Sequence, residues 1–468
     1  MDSAEFRRCA KELVDYVADY LDRIRERSVL PDVQPGYMRE LLPDSAPKEA
    51  EHWKTVLQDV ERVIMRGMTH WNSPHFHAYF PIANSYPSMC ADILLSGITT
   101  MGFSWISSPA CTELEMLMMD WLGKMLELPE QFLFESEGLG GGVIQGSASE
   151  STLVALLAAR NRALTFYKGA KLENLVVYAS DQSHSSVERA TLYGAVMIRL
   201  LPADENLSLR GDTLAKAIEE DRKNGNLPFL VVGSLGTTNT CAFDNIKEIG
   251  EICVEQKLWL HIDAAYAGAA FICPEFRCLL DGIEYADSFV FNPHKWLLVN
   301  FECSTMWVKN RLDLTEAFFV NPTYLKYKRE GPIPDYRHWQ IPLGRRFRAL
   351  KMWFVFRMYG VDGLRKHIRE HVRLAKEFES LIASDPQFEV VCPVTLGLVC
   401  FRLKGSNSMN EALLQLINDR RKIHIVSTYV RGQLILRFVI CSRFTNSEDI
   451  KFAFIEFQEV AAQVKKRI

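Results

Sequence analysis

Two side chains define the chemistry this sequence is equipped for. Lys295 lies in Ser288-Phe289-Val290-Phe291-Asn292-Pro293-His294-Lys295-Trp296, and Asp263 lies in His261-Ile262-Asp263-Ala264-Ala265-Tyr266-Ala267-Gly268. An aldehyde cofactor such as pyridoxal phosphate needs an amine to tether it and a carboxylate to keep its ring nitrogen protonated, which makes the ring an electron sink. A buried aspartate is costly unless it meets a positive charge, and a protonated pyridine supplies one. Taken singly, an Asp after an apolar strand is ordinarily a cap or turn former, and a Lys is ordinarily solvated. The pair in this order carries the reading.

A third segment joins them. Gly138-Leu139-Gly140-Gly141-Gly142-Val143-Ile144-Gln145-Gly146-Ser147-Ala148-Ser149-Glu150 runs into a helical pattern from Ser151 to Leu164, with Leu153, Leu156, Leu157 and Leu164 at helical spacing. Small residues at a helix start leave backbone N–H groups and hydroxyls open to an anion, and the helix dipole adds to the attraction, so the run is a candidate phosphate cradle. By itself it reads equally well as a flexible loop before a Ser-capped helix. It does not satisfy G-x-G-x-x-G, and neither a G-x-x-x-x-G-K-[ST] loop nor a G-x-S-x-G elbow occurs, which argues against dinucleotide, P-loop and serine-hydrolase chemistry.

These residues need a frame. Apolar runs at Leu175–Ala179, Met197–Leu201, Phe229–Gly233, Leu258–Ile262, Ser288–Phe291 and Thr305–Val308 alternate with helical patterns, which predicts an α/β fold: a three-layer α/β/α domain over residues 86–360 with a mostly parallel sheet. In such a sheet the strand C-terminal ends gather at one edge, where ligands bind, and Asp263 and Lys295 both follow a strand. Residues 361–468 change character, with a charged helix from Gly363 to Ala383, strands at Phe388–Val391, Leu398–Leu403, Ile423–Val426 and Leu434–Cys441, and a last helix carrying Ile450, Phe454, Phe457, Val460 and Val464. That pattern predicts a small α+β domain. Residues 1–85 hold two amphipathic helices, one from Phe6 to Arg27 and one with Trp53, Val56, Leu57, Val60 and Ile64, too little to form a core alone.

The chain has 468 residues, a net charge of -4 and 48% hydrophobic residues, a soluble globular composition that gives no reason to expect nucleic acid or an anionic membrane as partner. Its start lacks the apolar core of a signal peptide, and no apolar stretch reaches the length of a membrane span, so a cytoplasmic protein is expected. The 11 cysteines form no CxxC pairs, which fits reduced thiols better than a disulfide framework or a metal site.

The ordered segments Pro109-Ala110-Cys111-Thr112-Glu113-Leu114-Glu115, Ser180-Asp181-Gln182-Ser183-His184-Ser185-Ser186-Val187-Glu188, the lysine segment, and His338-Trp339-Gln340-Ile341-Pro342-Leu343-Gly344-Arg345-Arg346-Phe347-Arg348 resemble the group II pyridoxal-phosphate-dependent decarboxylases, and within them the aromatic L-amino acid (dopa-type) decarboxylases. That family also holds histidine and tyrosine decarboxylases and aldehyde-forming relatives, and the similarity covers essentially the whole chain. The resemblance implies fold type I, a homodimer with the N-terminal arm packed on the partner, and amine biosynthesis, including catecholamines. It implies that Lys295 tethers pyridoxal 5'-phosphate, that Asp263 holds the ring nitrogen and that His184 stacks on the ring. Ala148, Ser149, Thr238, Ala265, Asn292 and His294 match further cofactor contacts. Asp244 is equally well explained as a turn former.

Tyr324 matches the family's loop tyrosine, which is proposed to return a proton to Cα, and the polar segment 321–337 has the composition of a lid. Trp71, Phe80 and Phe103 match the lining of the aromatic pocket, Phe103 coming from the partner subunit. Ile82 stands where dopa-type enzymes carry Thr, Met101 where Ile is frequent, and Gly344 where histidine decarboxylases tend to carry Ser. Aldehyde-forming relatives typically replace the Tyr or the His, and both are kept here. Arg437, in Leu436-Arg437-Phe438, leaves an aminotransferase-like carboxylate clamp open as a rival.

Overall fold

The computed structural model describes residues 1–320, 322–325 and 333–467, with the side chains of Tyr324 and Arg467 outside that set. The chain divides into two compact units, Ile82–Glu370 and Met1–Pro81 together with His371–Ile468.

The Ile82–Glu370 unit is built on a seven-stranded sheet of β1 (Gly141–Gln145), β2 (Leu175–Ser180), β3 (Met197–Leu201), β4 (Leu227–Ser234), β5 (Trp259–Asp263), β6 (Ser288–Phe291) and β7 (Ser304–Val308), in the order β1-β7-β6-β5-β4-β2-β3. Parallel pairing runs from β3 through β2, β4 and β5 to β6. Only β7 runs against the rest, pairing antiparallel with both β6 and β1. Successive residues of β2, β5 and β6 point to opposite faces yet all are buried, so helices cover the sheet on both sides, as the unbroken apolar runs require. The helix Ala148–Phe166 packs along β4 to β7, while Gly211–Lys223 and Ile246–Gln256 lie against β3 to β5.

One strand escapes the sequence reading. The glycine run, read as a phosphate cradle or equally a flexible loop and not as a strand, contains β1, and the helix then starts at Ala148, three residues early. Glycine carries no strand signal of its own; here close packing selects it, since a Cβ on Gly142 would lie 2.4 Å from Met119 Cε and one on Gly141 2.6 Å from Phe134. A buried ion pair fixes this strand. Arg345 Nη2 meets Glu115 Oε1 at 2.6 Å with both side chains almost fully buried. Glu115 Oε1 also accepts the Ile144 N–H at 2.8 Å, and Arg345 Nη2 donates to the Ile144 carbonyl at 3.1 Å. Gln340 and the face of Tyr336 complete the arginine's surroundings.

In the other unit, β8 (Phe388–Val390), β9 (Leu398–Leu403), β10 (Val426–Val430) and β11 (Gln433–Val439) form an antiparallel sheet in the order β10-β11-β9-β8. The helices Asn407–Asp419 and Ser447–Arg467 bury Leu413, Ile417, Phe457 and Val460 in a core shared with Phe401 and Phe438. β10 starts at Val426, where the expected strand ended: Ile423 and Ile425 are buried but precede the ladder. The helix Ser3–Asp22 is capped by Asp2 and buries Cys9 and Leu21, whereas Phe6, Leu13 and Val14 stay exposed.

Two predictions follow from this packing. Glu115→Ala, which strands a buried guanidinium, lowers stability by about 3 to 5 kcal/mol, and Glu115→Met with Arg345→Met loses markedly less; urea unfolding of the three proteins checks this. Burial also pushes His77 and His294 down to about 3, and His261 and His371 down to about 4. The unfolded chain therefore binds protons at these four positions below pH 6.5 while the native chain does not. Asp244, pushed up to about 7 by burial, opposes them with one proton. Stability is lost as pH falls from 6.5 towards 4, by up to about 4 kcal/mol per pH unit for a net three protons. Calorimetry across pH 7.5 to 5 tests it; a flat melting temperature would contradict it.

Candidate active site

The C-terminal ends of β1, β2, β4, β5 and β6 share one edge of the large sheet. Each delivers candidate residues within a few positions of its last rung: Ala148 and Ser149 after β1, His184 after β2, Thr238 after β4, Asp263 and Ala265 at β5, and Asn292, His294 and Lys295 after β6. Convergence at this edge follows from parallel pairing of β2, β4, β5 and β6, and for β1 from its two-step antiparallel link through β7.

Asp263 is 8% exposed and ends the central strand, opposite Ser234 of β4 and Val290 of β6. Its Oδ1 accepts the Ala265 N–H at 3.0 Å, which turns the chain away from the sheet. Among the described residues no donor hydrogen-bonds Oδ2. The turn is bound to β6 in both directions: Ala264 N–H donates to Val290 O at 2.9 Å, and Asn292 N–H donates to Ala265 O at 3.0 Å. The following short helix, Pro293–Trp296, places the half-buried Lys295, whose N–H returns to Asn292 O at 2.9 Å. The Asn292 side-chain oxygen is buried with no hydrogen-bond partner among the described residues.

His184 follows β2 and is exposed. Its Nδ1 accepts the Ser186 N–H at 3.1 Å and meets the Ser186 hydroxyl at 2.8 Å, so the neutral ring has its proton on Nε2. Desolvation holds its pKa below the ordinary histidine value; the Asp263 carboxylate opposes that, and the Lys295 ammonium adds to it. These three side chains therefore lie within electrostatic reach of one another. His294 is likewise held neutral, by burial and then by Lys295, and its Nδ1 accepts the Cys303 N–H at 2.9 Å.

On the anion side, Ser147 caps the helix by accepting the Glu150 N–H at 3.1 Å, Ala148 is buried and Ser149 is exposed. A side chain at Gly146 would come within 2.8 Å of Glu150 Oε2 and 3.2 Å of Glu302 Oε2. In the turn before Thr238, Gly236 has φ +80°, and a Cβ there would lie 2.6 Å from Ala267 Cβ. Asp244 accepts N–H groups from Leu209 at 2.8 Å and Ser234 at 2.7 Å, so it ties down the end of β4.

The pocket candidates fall in different places. Gly344 and Met101 are neighbours, an added Cβ on the glycine lying 3.6 Å from Met101 Sδ, and the Phe103 carbonyl accepts the Arg337 N–H at 3.1 Å. Ile82 is exposed in the same unit. Trp71 and Phe80 belong to the other unit, where Trp71 stacks on Tyr79 with ring centroids 5.3 Å apart and Phe80 lies under the Arg437 guanidinium. Arg437 also donates to the Tyr79 carbonyl. Tyr324 lies in the short turn Thr323–Leu325; its side chain, like residues 321 and 326–332 of the expected lid, lies outside the described residues.

One residue of this region escaped the sequence. Lys351 is buried in a helix, and its ammonium donates to the carbonyls of Asn300 at 3.0 Å and Phe301 at 3.2 Å, on the loop that returns Cys303 to His294. No local pattern marks a lysine that acts through its loop partners.

The donors fit pyridoxal phosphate. A carboxylate oxygen of the buried Asp263 that has no donor among the described residues suits a pyridinium N–H, Lys295 supplies an amine 32 positions on, and the Asn292 oxygen, unpartnered among the described residues, and a serine-rich helix start stand at the same edge. A family profile described as "Pyridoxal-dependent decarboxylase conserved domain" matches residues 35–404. The chain is 60% identical to the aromatic-L-amino-acid decarboxylase of Cavia porcellus, over 99% of both chains. It is 56% identical to that of Drosophila melanogaster, over 100% of this chain and 93% of the relative. Among solved structures, Catharanthus roseus tryptophan decarboxylase in complex with L-tryptophan superposes with a TM-score of 0.95 at 39% identity, and Rhodiola rosea 4-hydroxyphenylacetaldehyde synthase with 0.94 at 38%, each covering 99% of this chain and 99% of its own. With its carboxylate, amine and helix start set on one sheet edge and these relatives alike from end to end, the chain belongs to the family of pyridoxal-phosphate-dependent decarboxylases.

Proposed function

We propose that this enzyme decarboxylates aromatic L-amino acids, dopa, 5-hydroxytryptophan or a related compound, to the amine and carbon dioxide. The observation that carries the reading is the meeting of Asp263, Lys295 and a neutral His184 at one sheet edge, in a chain alike over its whole length to aromatic-L-amino-acid decarboxylases.

Bound pyridoxal phosphate supplies the electron sink for the pair that departing carbon dioxide leaves behind. Lys295 would hold the cofactor through Nζ, and the Asp263 carboxylate would accept a hydrogen bond from its ring N–H and keep that nitrogen protonated. Ala148, Ser149 and Asn292 would hold its phosphate side, Thr238 and Ala265 would contact it, and His294 would support Lys295. His184, kept uncharged by its surroundings, covers the ring without adding a positive charge that would bind the substrate carboxylate. A carboxylate that must leave is best kept out of a strong cationic pair, because ground-state binding raises the barrier. Arg437, engaged by Tyr79 and Phe80, does not favour the aminotransferase reading. Tyr324 returns a proton to Cα. Ile82, Met101, Phe103 and Gly344 would meet the substrate side chain, and Trp71 and Phe80 match positions that do so in the family.

The protein acts as a cytoplasmic homodimer, with residues 1–85 as the dimerisation arm of a three-part chain whose later parts are 86–360 and 361–468. Exposed Ile93, Leu94, Ile98, Met101 and Ile106 support a second copy as the cover of this face, as do the exposed apolar residues of the first helix. No helix among the described residues is long and apolar enough to cross a membrane.

The deciding test is a substrate panel on cofactor-loaded protein, with dopa, 5-hydroxytryptophan, tyrosine, tryptophan, phenylalanine and histidine, scoring carbon dioxide, amine, aldehyde and peroxide. Amine in step with carbon dioxide is expected; aldehyde and peroxide in its place would make the chain an aldehyde synthase. Tyr324→Phe is expected to lower amine formation by about 10² to 10⁴ and to raise the aldehyde share. Ile82→Thr restores a hydroxyl for a catechol and is expected to improve dopa relative to its monohydroxy analogue by about 1 to 3 kcal/mol. An unchanged ratio of their kcat/KM values would remove Ile82 from the account of specificity.

A further inference from the structure

The small antiparallel sheet holds two thiols that the cofactor chemistry does not use. β8 and β9 pair with Val390 opposite Phe401, and one rung on, the Val391 N–H donates to the Cys400 carbonyl at 2.9 Å. The chain then bends at Cys392, whose side chain hydrogen-bonds the Cys400 thiol. Strand alternation turns Val399, Phe401 and Leu403 into the core and leaves Cys400 on the opposite face, 2% exposed, while Cys392 is half-exposed.

We propose that Cys392 and Cys400 form a reversible thiol–disulfide couple, with Cys392 as the thiol attacked by a hydroperoxide and Cys400 as the resolving thiol. The Cys392 sulfur, as thiolate, attacks the distal peroxide oxygen. The O–O bond breaks, an S–O bond forms, and the released alkoxide or hydroxide takes up the thiol's proton. The Cys400 sulfur then displaces the sulfenic oxygen, which leaves as water with the Cys400 proton. The sum is two thiols and one hydroperoxide giving one disulfide, one alcohol or water, and one water, a two-electron oxidation. Reduction by a dithiol returns the pair.

The surroundings favour this division of labour. The pKa of Cys392 is lowered by the hydrogen bond from Cys400 and also by the charge of Arg431, against the effect of burial. Burial is the largest cause pushing up the thiols of Cys111, Cys253, Cys273, Cys303 and Cys441. A reachable sulfur whose pKa is lowered, beside a second buried one, is the arrangement of a redox-sensitive pair.

The test exposes holoenzyme to a graded series of hydrogen peroxide, blocks remaining thiols with N-ethylmaleimide and maps the unreduced peptides. Exposed Cys278 serves as reference. A Cys392–Cys400 linked peptide is expected to accumulate at least ~5-fold faster than Cys278 is oxidised. It should disappear on reduction. In Cys400→Ser protein, dimedone is expected to trap Cys392 as sulfenic acid; in Cys392→Ser protein, Cys400 is expected to remain reduced. Oxidation of Cys392 no faster than Cys278, or Cys392 recovered as sulfinic acid or bonded to another cysteine in the unmutated chain, overturns the proposal.

Discussion

A negative charge buried at the end of the central strand is the constraint on which the rest of the large unit depends. Asp263 has one oxygen answered by the Ala265 N–H and the other without a donor from the described residues. Such a group is tolerable in a folded protein only if something positive reaches it. The neighbouring elements are arranged accordingly: β4 and β6 hold Asp263 in register, the turn after it is stitched to β6, and the next residues along β6 bring Lys295 and His294 to the same edge. His184 and His294, which could compete for that charge as cations, are instead held neutral.

Much of this was legible in the sequence because it depends on short-range signals. Apolar runs of strand length between helical patterns marked β2 through β7, and the residues just past each run became the residues at the sheet edge. Strand β1 was hidden because its first two residues are glycines, selected for contact with Met119 and Phe134 instead of for extended backbone. The bond between Glu115 and Arg345 was hidden for a different reason. Both residues sit in segments that stood out in the sequence, but an ion pair across 230 positions has no local pattern. Lys351 is a third case, since an amine that binds loop carbonyls looks like any lysine on a helix until the loop is in place.

Residues with a local signature and residues without one divide the work at the site. Lys295, Asp263 and His184 are announced by their surroundings in sequence and do the chemistry proposed for them. The groups that keep them in position are backbone amides and remote side chains: Cys303 for His294, Ala265 for Asp263, and Ser186 for His184. Substitutions at those supports alter the site through the orientation and protonation of the groups they hold, without removing any reacting atom.

The antiparallel return of β7 has a consequence for how the chain assembles. β1 pairs with β7, Gly141 opposite Val308 and Gln145 opposite Ser304, while the strands between them in sequence pair among themselves. Closing that distant pair costs loop entropy before any contact rewards it. The rung that sets the start of the helix Ala148–Phe166 therefore waits for more than a hundred intervening residues. On the ribosome, β2 to β6 emerge and can pair before β7, the strand that pairs with β1, is made. The turn that starts this helix is then among the last pieces of the large unit to be fixed, and the nascent sheet keeps an open edge along β6 until β7 arrives to seal it.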